Sequence, residues 1–350
     1  MPDQPEFNLH CPLPSSPTDV IQLGHGDGGQ LTQNLLQQII YPRFANPELD
    51  RAHDSALLQL PGNALAFTTD SYVVNPLVFP GGDIGKLAVY GTVNDLLMAG
   101  ALPRYLSCSL IMEEGLPIAT LTQIVDSMAA AAHETGVQIV TGDTKVVDKG
   151  HGDGLYINTA GIGERCTDRL IAPQSICAGD QIILSADIGR HGLAIMAQRE
   201  GLSFEAPLSS DCAALTGPVS ALLAADIELH CLRDLTRGGL ATALVELAET
   251  SGLGISVEQN SIAISDAVGG GCELLGMDPL YLANEGCFIA FVAKADAEIA
   301  LQLLRQHAVS ASSCIIGEVS DSNSGARLQT SIGSERQLRR MMGQPLPRIC

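Results

Sequence analysis

A polar stretch over residues 164–179, carrying Pro173 and lying between two strand-like patterns, breaks this chain into two halves. Each half alternates strand and helix patterns. A chain of 350 residues is too long for one ordinary core and suits two domains. With 46% hydrophobic residues, a sizeable core can be buried. The expected organisation is a flexible extension over 1–22, an N-terminal domain over 23–165, a C-terminal α+β domain over 166–335 and a flexible tail over 336–350. Residues 1–20 are rich in Pro and Ser and lack periodicity. At the other end Pro345 and Pro347 remove two backbone N–H groups and favour an extended, solvated tail.

The glycine loop Gly24-His25-Gly26-Asp27-Gly28-Gly29 precedes a helical pattern of Leu31, Leu35 and Ile39. Residues 65–74 are expected as a strand and 86–100 as a helix. The clearest helix runs over 117–136: proline opens it, glycine closes it, and Ile118, Leu121, Val125, Met128 and Ala132 repeat at helical spacing. Residues 137–140 and 155–162 are expected as strands. In the second half, 181–186, 255–258 and 287–293 pattern as strands, and 212–225, 239–251 and 296–307 as helices.

Charge and cysteine usage narrow the function classes. The net charge of −20 would repel nucleic acid, whereas Mg²⁺ and Mg·nucleotide complexes suit acidic clefts. None of the ten cysteines forms a C-x-x-C pair, so zinc-ribbon and thioredoxin-type sites are excluded, and buried free thiols are expected. No basic-then-apolar leader and no apolar run of bilayer length is present. A cytoplasmic protein, away from membranes, is the expectation.

Four aspartates, Asp54, Asp70, Asp95 and Asp234, stand at the ends of expected elements beside small or hydroxyl residues. Hard carboxylate oxygens suit Mg²⁺, which keeps water and substrate phosphate in its shell; helix caps and turns use aspartate equally well. Gly142-Asp143-Thr144-Lys145 follows a strand pattern and could let backbone and lysine approach phosphate. It is not a P-loop, and a capping turn explains it as well. Glu285, before an apolar strand, could be a base with a raised pKa or a turn residue in water. Cys350 ends the chain on a proline-stiffened tail that spans roughly 45–50 Å from Gln337 when extended. That reach would serve a travelling thiol, and a disordered end with an incidental cysteine is the alternative.

Taken together, Thr69-Asp70-Ser71-Tyr72-Val73, Phe79-Pro80-Gly81-Gly82, Gly142-Asp143-Thr144-Lys145-Val146-Val147, Asp234-Leu235-Thr236-Arg237-Gly238-Gly239, Ala283-Asn284-Glu285-Gly286 and the terminal Pro347-Arg348-Ile349-Cys350 resemble the HypE family of hydrogenase maturation factors. That family lies within the superfamily of aminoimidazole-ribonucleotide synthase, selenophosphate synthase and thiamine-monophosphate kinase. The likeness runs from about Leu23 to Cys350. It implies a two-domain α+β fold like that of aminoimidazole-ribonucleotide synthase, with N-terminal domains of two subunits pairing into a β-barrel. It implies ATP and Mg²⁺ as cofactors. Asp54, Asp70, Asp95 and Asp234 would hold the metal; Asn94, Asp143, Thr144, Gly26 and Gly28 would help to bind the nucleotide; Lys145 and Glu285 would act on the tail thiol. Asp27 stands where the family has serine and is not expected to bind phosphate itself.

The resemblance further implies an activity: ATP-dependent dehydration of a carbamoyl group on Cys350 to a thiocyanate, the cyanide source for the iron of [NiFe]-hydrogenase. The implied partners are a second copy of the chain, the carbamoyltransferase HypF and a HypC–HypD iron scaffold. The alternatives are another ATP-dependent kinase or synthase activity of the superfamily on a small metabolite, and a non-catalytic scaffold that docks through its terminal cysteine.

Overall fold

The helix expected from residue 86 begins two residues earlier because Asp83 caps it. The Asp83 carboxylate accepts from the backbone N–H of Gly85 at 2.8 Å and of Lys86 at 3.0 Å, satisfying two of the donors a helix start leaves free. This structure is a computed structural model, and it describes residues 19–25, 30–47, 64–202, 208–321, 324–340 and 349. Gly26, Asp27, Gly28, Asp54 and Cys350 lie outside the described residues.

In the N-terminal half, α1 (Gln30–Leu35) and α2 (Tyr41–Phe44) precede β1 (Leu65–Tyr72). A short hairpin of β2 (Val78–Phe79) and β3 (Gly82–Asp83) leads into α3 (Ile84–Met98). Then come β4 (Ala101–Glu113), α4 (Ile118–Thr135), β5 (Gln138–Val147) and β6 (Leu155–Arg165). The strands form one sheet in the order β1-β6-β4-β5. β4 and β5 run parallel, as their connection through α4 requires, and the other pairs are antiparallel. The helices pack on one face of this sheet. The opposite face leaves Phe67 70% exposed, with Leu65 and Ile111 also open.

The C-terminal half contains β7 (Gln181–Leu184), α5 (Arg190–Arg199), α6 (Thr216–Ala224), β8 (Leu229–Asp234) and α7 (Gly239–Ser251). These are followed by β9 (Gly254–Glu258), α8 (Asp266–Leu275), β10 (Phe288–Val292), α9 (Ala297–Arg305), β11 (Cys314–Ser320), β12 (Gly325–Gln329) and β13 (Glu335–Gln337). Seven strands form one mixed sheet in the order β13-β12-β9-β11-β7-β10-β8. β10 lies inside the sheet between β7 and β8 and is buried at every position, which matches its unbroken apolar run FIAFV.

α3 joins the two halves. It is apolar on nearly all sides and buried except at Lys86 and Asp95, which are partly exposed. One apolar cluster runs from Leu87 and Val93 of α3 to Leu215, Ile183 and Phe288 of the C-terminal half. Asn94 on α3 reinforces this: its side-chain N–H donates to the Ala213 carbonyl at 3.1 Å and its oxygen accepts from Leu215 N–H at 2.9 Å.

Several expectations need correcting. β4 was not expected as a strand, although Leu106, Cys108, Leu110 and Met112 alternate inward. Pro103, which lacks an N–H, sits where β4 shifts register against β6. Gly142–Lys145 is not a turn: β5 continues through it to Val147, paired with β4. Residues 19–22 are not loose, because Ile21 is fully buried and hydrogen-bonds with Leu116 and Gly115. Residues 336–338, placed in the tail, extend the C-terminal sheet, with Leu338 buried and bonded to Ala326. Cys108, Cys212, Cys231, Cys272 and Cys287 are buried free thiols, but Cys166 and Cys177 are exposed. No helix among the described residues is long and apolar enough to cross a membrane.

Candidate active site

A cleft of about 490 Å³ opens between the halves, and three of the four aspartates line it. Asp70 comes from β1, Asp95 from α3, and Asp234 from the end of β8. The break between the domains is not a free linker: Ile171, Ala172 and Pro173 form part of the cleft wall. With Met98 and Leu232 they give it an apolar side opposite the acids.

Thr236 and Arg237, just before the start of α7, also line the cleft. Gly238 and Gly239 before and at that start have φ of 78° and 59°, a left-handed backbone that glycine adopts without strain. Gly239 also has no room for a Cβ, which would stand 2.5 Å from the Leu282 carbonyl. The free N–H groups of a helix start are a favourable place for phosphate. Arg237 NH2 lies 3.7 Å from Asp70 and is largely exposed, so it is available to an anion.

Two of these acids, Asp95 and Asp234, have raised pKa values, chiefly through burial. Burial pushes Asp95 up to about 7, with the charges of Asp234 and Asp70 adding to it and a hydrogen bond from Thr68 at 3.0 Å opposing it. Burial also raises Asp234, against the pull of Arg233. A site that pays this electrostatic cost suits a cation with hard-oxygen preference. The described residues contain no group of three acids, histidines or cysteines already closed to metal-ligand distances. The donor set therefore fits Mg²⁺ that arrives with nucleotide phosphate and water in its shell, rather than a bare ion in a protein cage.

The shift predicts a pH effect. The native state holds the Asp95 proton up to about pH 7, while an unfolded aspartate releases it near pH 3.9. Between those limits the native state binds more protons, so stability contributed by Asp95 is present at low pH and is lost as pH rises to 7. The change is at most about 4 kcal/mol. Urea unfolding of nucleotide-free protein at pH 4.5 and 7.5 is expected to show this fall, and Asp95→Asn is expected to reduce it.

Glu285 is electrostatically coupled to these acids. Its carboxyl is buried, and its Oε1 has no hydrogen-bond partner among the described residues. Burial, followed by the charges of Asp211, Asp234, Asp70 and Asp95, raises its pKa well above the usual range. The backbone around it is locked. The Asp211 carboxylate accepts from Glu285 N–H at 3.1 Å and Gly286 N–H at 3.0 Å. Asn284 donates to the Leu235 and Leu282 carbonyls and accepts from Gly189. Glu285 is thus no turn residue in water, but a fixed acid in an apolar setting.

Asp143, Thr144 and Lys145 lie elsewhere. They pair with Ser109–Ile111 on β4, and Asp143 and Lys145 are exposed. Lys145 Nζ binds both Asp143 oxygens at 2.8 Å. Neither lines the cleft. The Asn94 amide is engaged by backbone on both sides, which makes it a joint between domains. Sequence reasoning missed Asp211, His191 and Ser210, all buried next to the Glu285 segment or the tail. Each stands alone in an unpatterned loop or helix start, so no spacing marked it. The tail itself is inside the molecule at Ile349, which is only 4% exposed.

Known proteins resemble this chain in sequence and fold. The N- and C-terminal domain models of the AIR synthase related proteins match residues 52–165 and 178–328. Carbamoyl dehydratase HypE of Azotobacter vinelandii is 46% identical over 331 residues, covering 94% of this chain and 97% of that protein. A crystal structure of a hydrogenase maturation protein HypE in complex with ATP superposes with a TM-score of 0.91 at 44% identity, covering 94% of this chain and 99% of the other. HypE from a HypE–HypF complex superposes with a TM-score of 0.78 at 42% identity, covering 88% and 99%. With its two-domain fold and near-complete coverage, the chain belongs to the HypE family of carbamoyl dehydratases.

Proposed function

We propose that this chain is an ATP-dependent dehydratase acting on a carbamoyl group carried by its own Cys350, making the cyanide ligands of [NiFe]-hydrogenase iron. The observation that carries this reading is Glu285: a buried carboxyl, with one oxygen unpartnered among the described residues, within electrostatic reach of the cleft acids Asp234, Asp70 and Asp95 and held through its backbone by Asp211. The solved relative that holds ATP supports the nucleotide. The relative captured with HypF supports that partner as carbamoyl donor. A HypC–HypD scaffold as cyanide acceptor, a cytoplasmic location and no binding to nucleic acid or membrane complete the proposal.

As a balance, S–C(=O)–NH₂ and ATP become S–C≡N, ADP, phosphate and one proton. The C–O bond breaks, and the nitrogen gives up both of its protons. ATP supplies a phosphoryl group that makes the oxygen a good leaving group, and Mg²⁺ offsets phosphate charge. Asp70, Asp95 and Asp234, with Asp54, would hold the metal and orient the phosphates. Gly26 and Gly28 are assigned to the nucleotide site, Asn94 to it through its hold on the two domains, and Asp143 and Thr144, which lie outside the cleft of their own chain, to a nucleotide site only across a dimer. Glu285 takes the nitrogen protons as base: an apolar setting raises its affinity for them. Lys145 would stabilise charge growing on the oxygen.

Lys145 shares the open sheet face with Ile111 and Phe67, apart from the cleft of its own chain. We assign that face to a second copy, as in a barrel of paired sheets, and Lys145 to a site completed by the dimer. Phe67→Asp is expected to turn the dimer into a monomer by light scattering, since a charge would be buried in an apolar interface. The activity is tested by intact mass after incubation with ATP, carbamoyl phosphate and HypF. A cyano-adduct at Cys350 is the expected product, and a carbamoyl adduct that persists with ATP present overturns the reading.

A further inference from the structure

Among the described residues, a side chain that no motif had marked holds the main chain at Ile349. His191, in the first turn of α5, is fully buried. Its Nε2 lies 2.8 Å from the carbonyl oxygen of Ile349. A carbonyl only accepts, so Nε2 carries the proton. Its Nδ1 lies 2.8 Å from Ser210 Oγ. In the neutral ring that nitrogen accepts, so the serine hydroxyl donates to it. Ser210 Oγ in turn accepts from Cys212 N–H at 3.0 Å, and Ser210 N–H is tied to the Pro80 carbonyl at 2.8 Å. The Phe79 ring meets the imidazole edge-on at 5.5 Å between centroids. Every polar atom of the ring has a partner, and the tautomer that faces the tail is fixed from behind.

The segment that orients His191 also holds the proposed base. Ser210 adjoins Asp211, whose carboxylate binds the backbone of Glu285 and Gly286. The contact to the tail is to main chain, so it measures where the tail lies rather than which residue stands at 349. The Ile349 side chain adds burial in the apolar cluster shared by the two domains. Neighbouring Cα atoms are about 3.8 Å apart, so whatever holds Ile349 also restricts the residue that follows it.

We propose that His191 is a positioning residue, a latch whose Nε2–H holds the Ile349 carbonyl and so limits how far the terminal cysteine, one residue on, can travel. This rests on the reading of Cys350 as the carrier. The latch opposes delivery of the thiol to outside proteins and favours the step inside. Its loss therefore has opposite effects on the two halves of the reaction, which a merely structural histidine would not have.

The test uses the full chain as wild type, His191→Leu, His191→Gln and Ser210→Ala. The first readout needs no enzyme activity: the rate of Cys350 alkylation by iodoacetamide, followed by peptide mass spectrometry. Exposed Cys177 and buried Cys212 serve as internal references. Losing one hydrogen bond of ordinary strength predicts about a tenfold faster rate in His191→Leu. The Gln variant, which keeps an N–H donor, is expected to recover part of the protection. The second readout is single-turnover: carbamoyl transfer from HypF as fast as wild type or faster, with ATP-dependent conversion of the carbamoyl adduct slower by a similar factor. An unchanged Cys350 alkylation rate with Cys212 still protected overturns the latch. If Cys212 loses protection in His191→Leu, Ser210→Ala decides, and an unchanged rate there overturns the proposal equally. Faster alkylation without any cyano-adduct in the wild type would keep the latch and remove the carbamoyl reading.

Discussion

Cys350→Ala is expected to bind ATP as wild type does and to form no cyano-adduct under any condition. The physical reason is that ATP binding and thiol chemistry use separate parts. The nucleotide is assigned to the acidic cleft, whose described aspartates stand on β1, α3 and β8. The reacting sulfur is assigned to the last residue of the chain. Removing it leaves the cleft intact and deletes the substrate attachment altogether. ATP affinity by calorimetry and intact mass after incubation with HypF, carbamoyl phosphate and ATP check both halves. An adduct that survives the substitution would falsify the assignment of the carrier, because it would have to sit on another residue. Exposed Cys166 and Cys177 provide the comparison, and peptide mapping would identify either one.

The second large effect is expected from Glu285→Gln. The amide keeps the shape and the capacity to donate one hydrogen bond, but it cannot take a proton from nitrogen. Dehydration of the carbamoyl adduct should slow by about 10²–10⁴-fold, the usual worth of a general base. ATP affinity should change by less than about threefold, since Glu285 does not line the cleft assigned to the nucleotide. Folding stability should hold, because Asp211 grips the backbone of this segment and not the Glu285 side chain. Single-turnover rates and urea unfolding separate the two effects. A parallel loss of ATP affinity, dehydration and stability would make Glu285 a structural acid.

Much of this was legible in the order of residues. The two halves, the helix over 117–136 and the strand before Asp70 follow from periodicity and from where proline and glycine fall. The motif around Asp234 was recognisable because the turn into α7 takes a left-handed backbone at Gly238 and Gly239, which glycine supplies. β4 was missed, although its alternation was present, since its proline interrupts the pattern just where a register shift absorbs it. Gly142–Lys145 misled because glycine and aspartate mark turns on average. Here β5 carries them along a paired strand beside Cys108, whose carbonyl leaves no room for a Cβ at Gly142.

The sequence by itself determined the local pieces: which segments could be strand or helix, where the domains part, and which residues carry oxygen, nitrogen or sulfur. Those depend on neighbours within a few positions, and the chain states them directly. Only the tertiary structure decided that Asp70, Asp95 and Asp234 share one cleft while Lys145 faces away from it. It alone showed that Glu285 is buried with one oxygen unpartnered among the described residues, and that His191 reaches a carbonyl 158 positions away. Convergence of that kind is set by how a buried helix such as α3 and two twisted sheets pack against each other, so no window along the chain contains it.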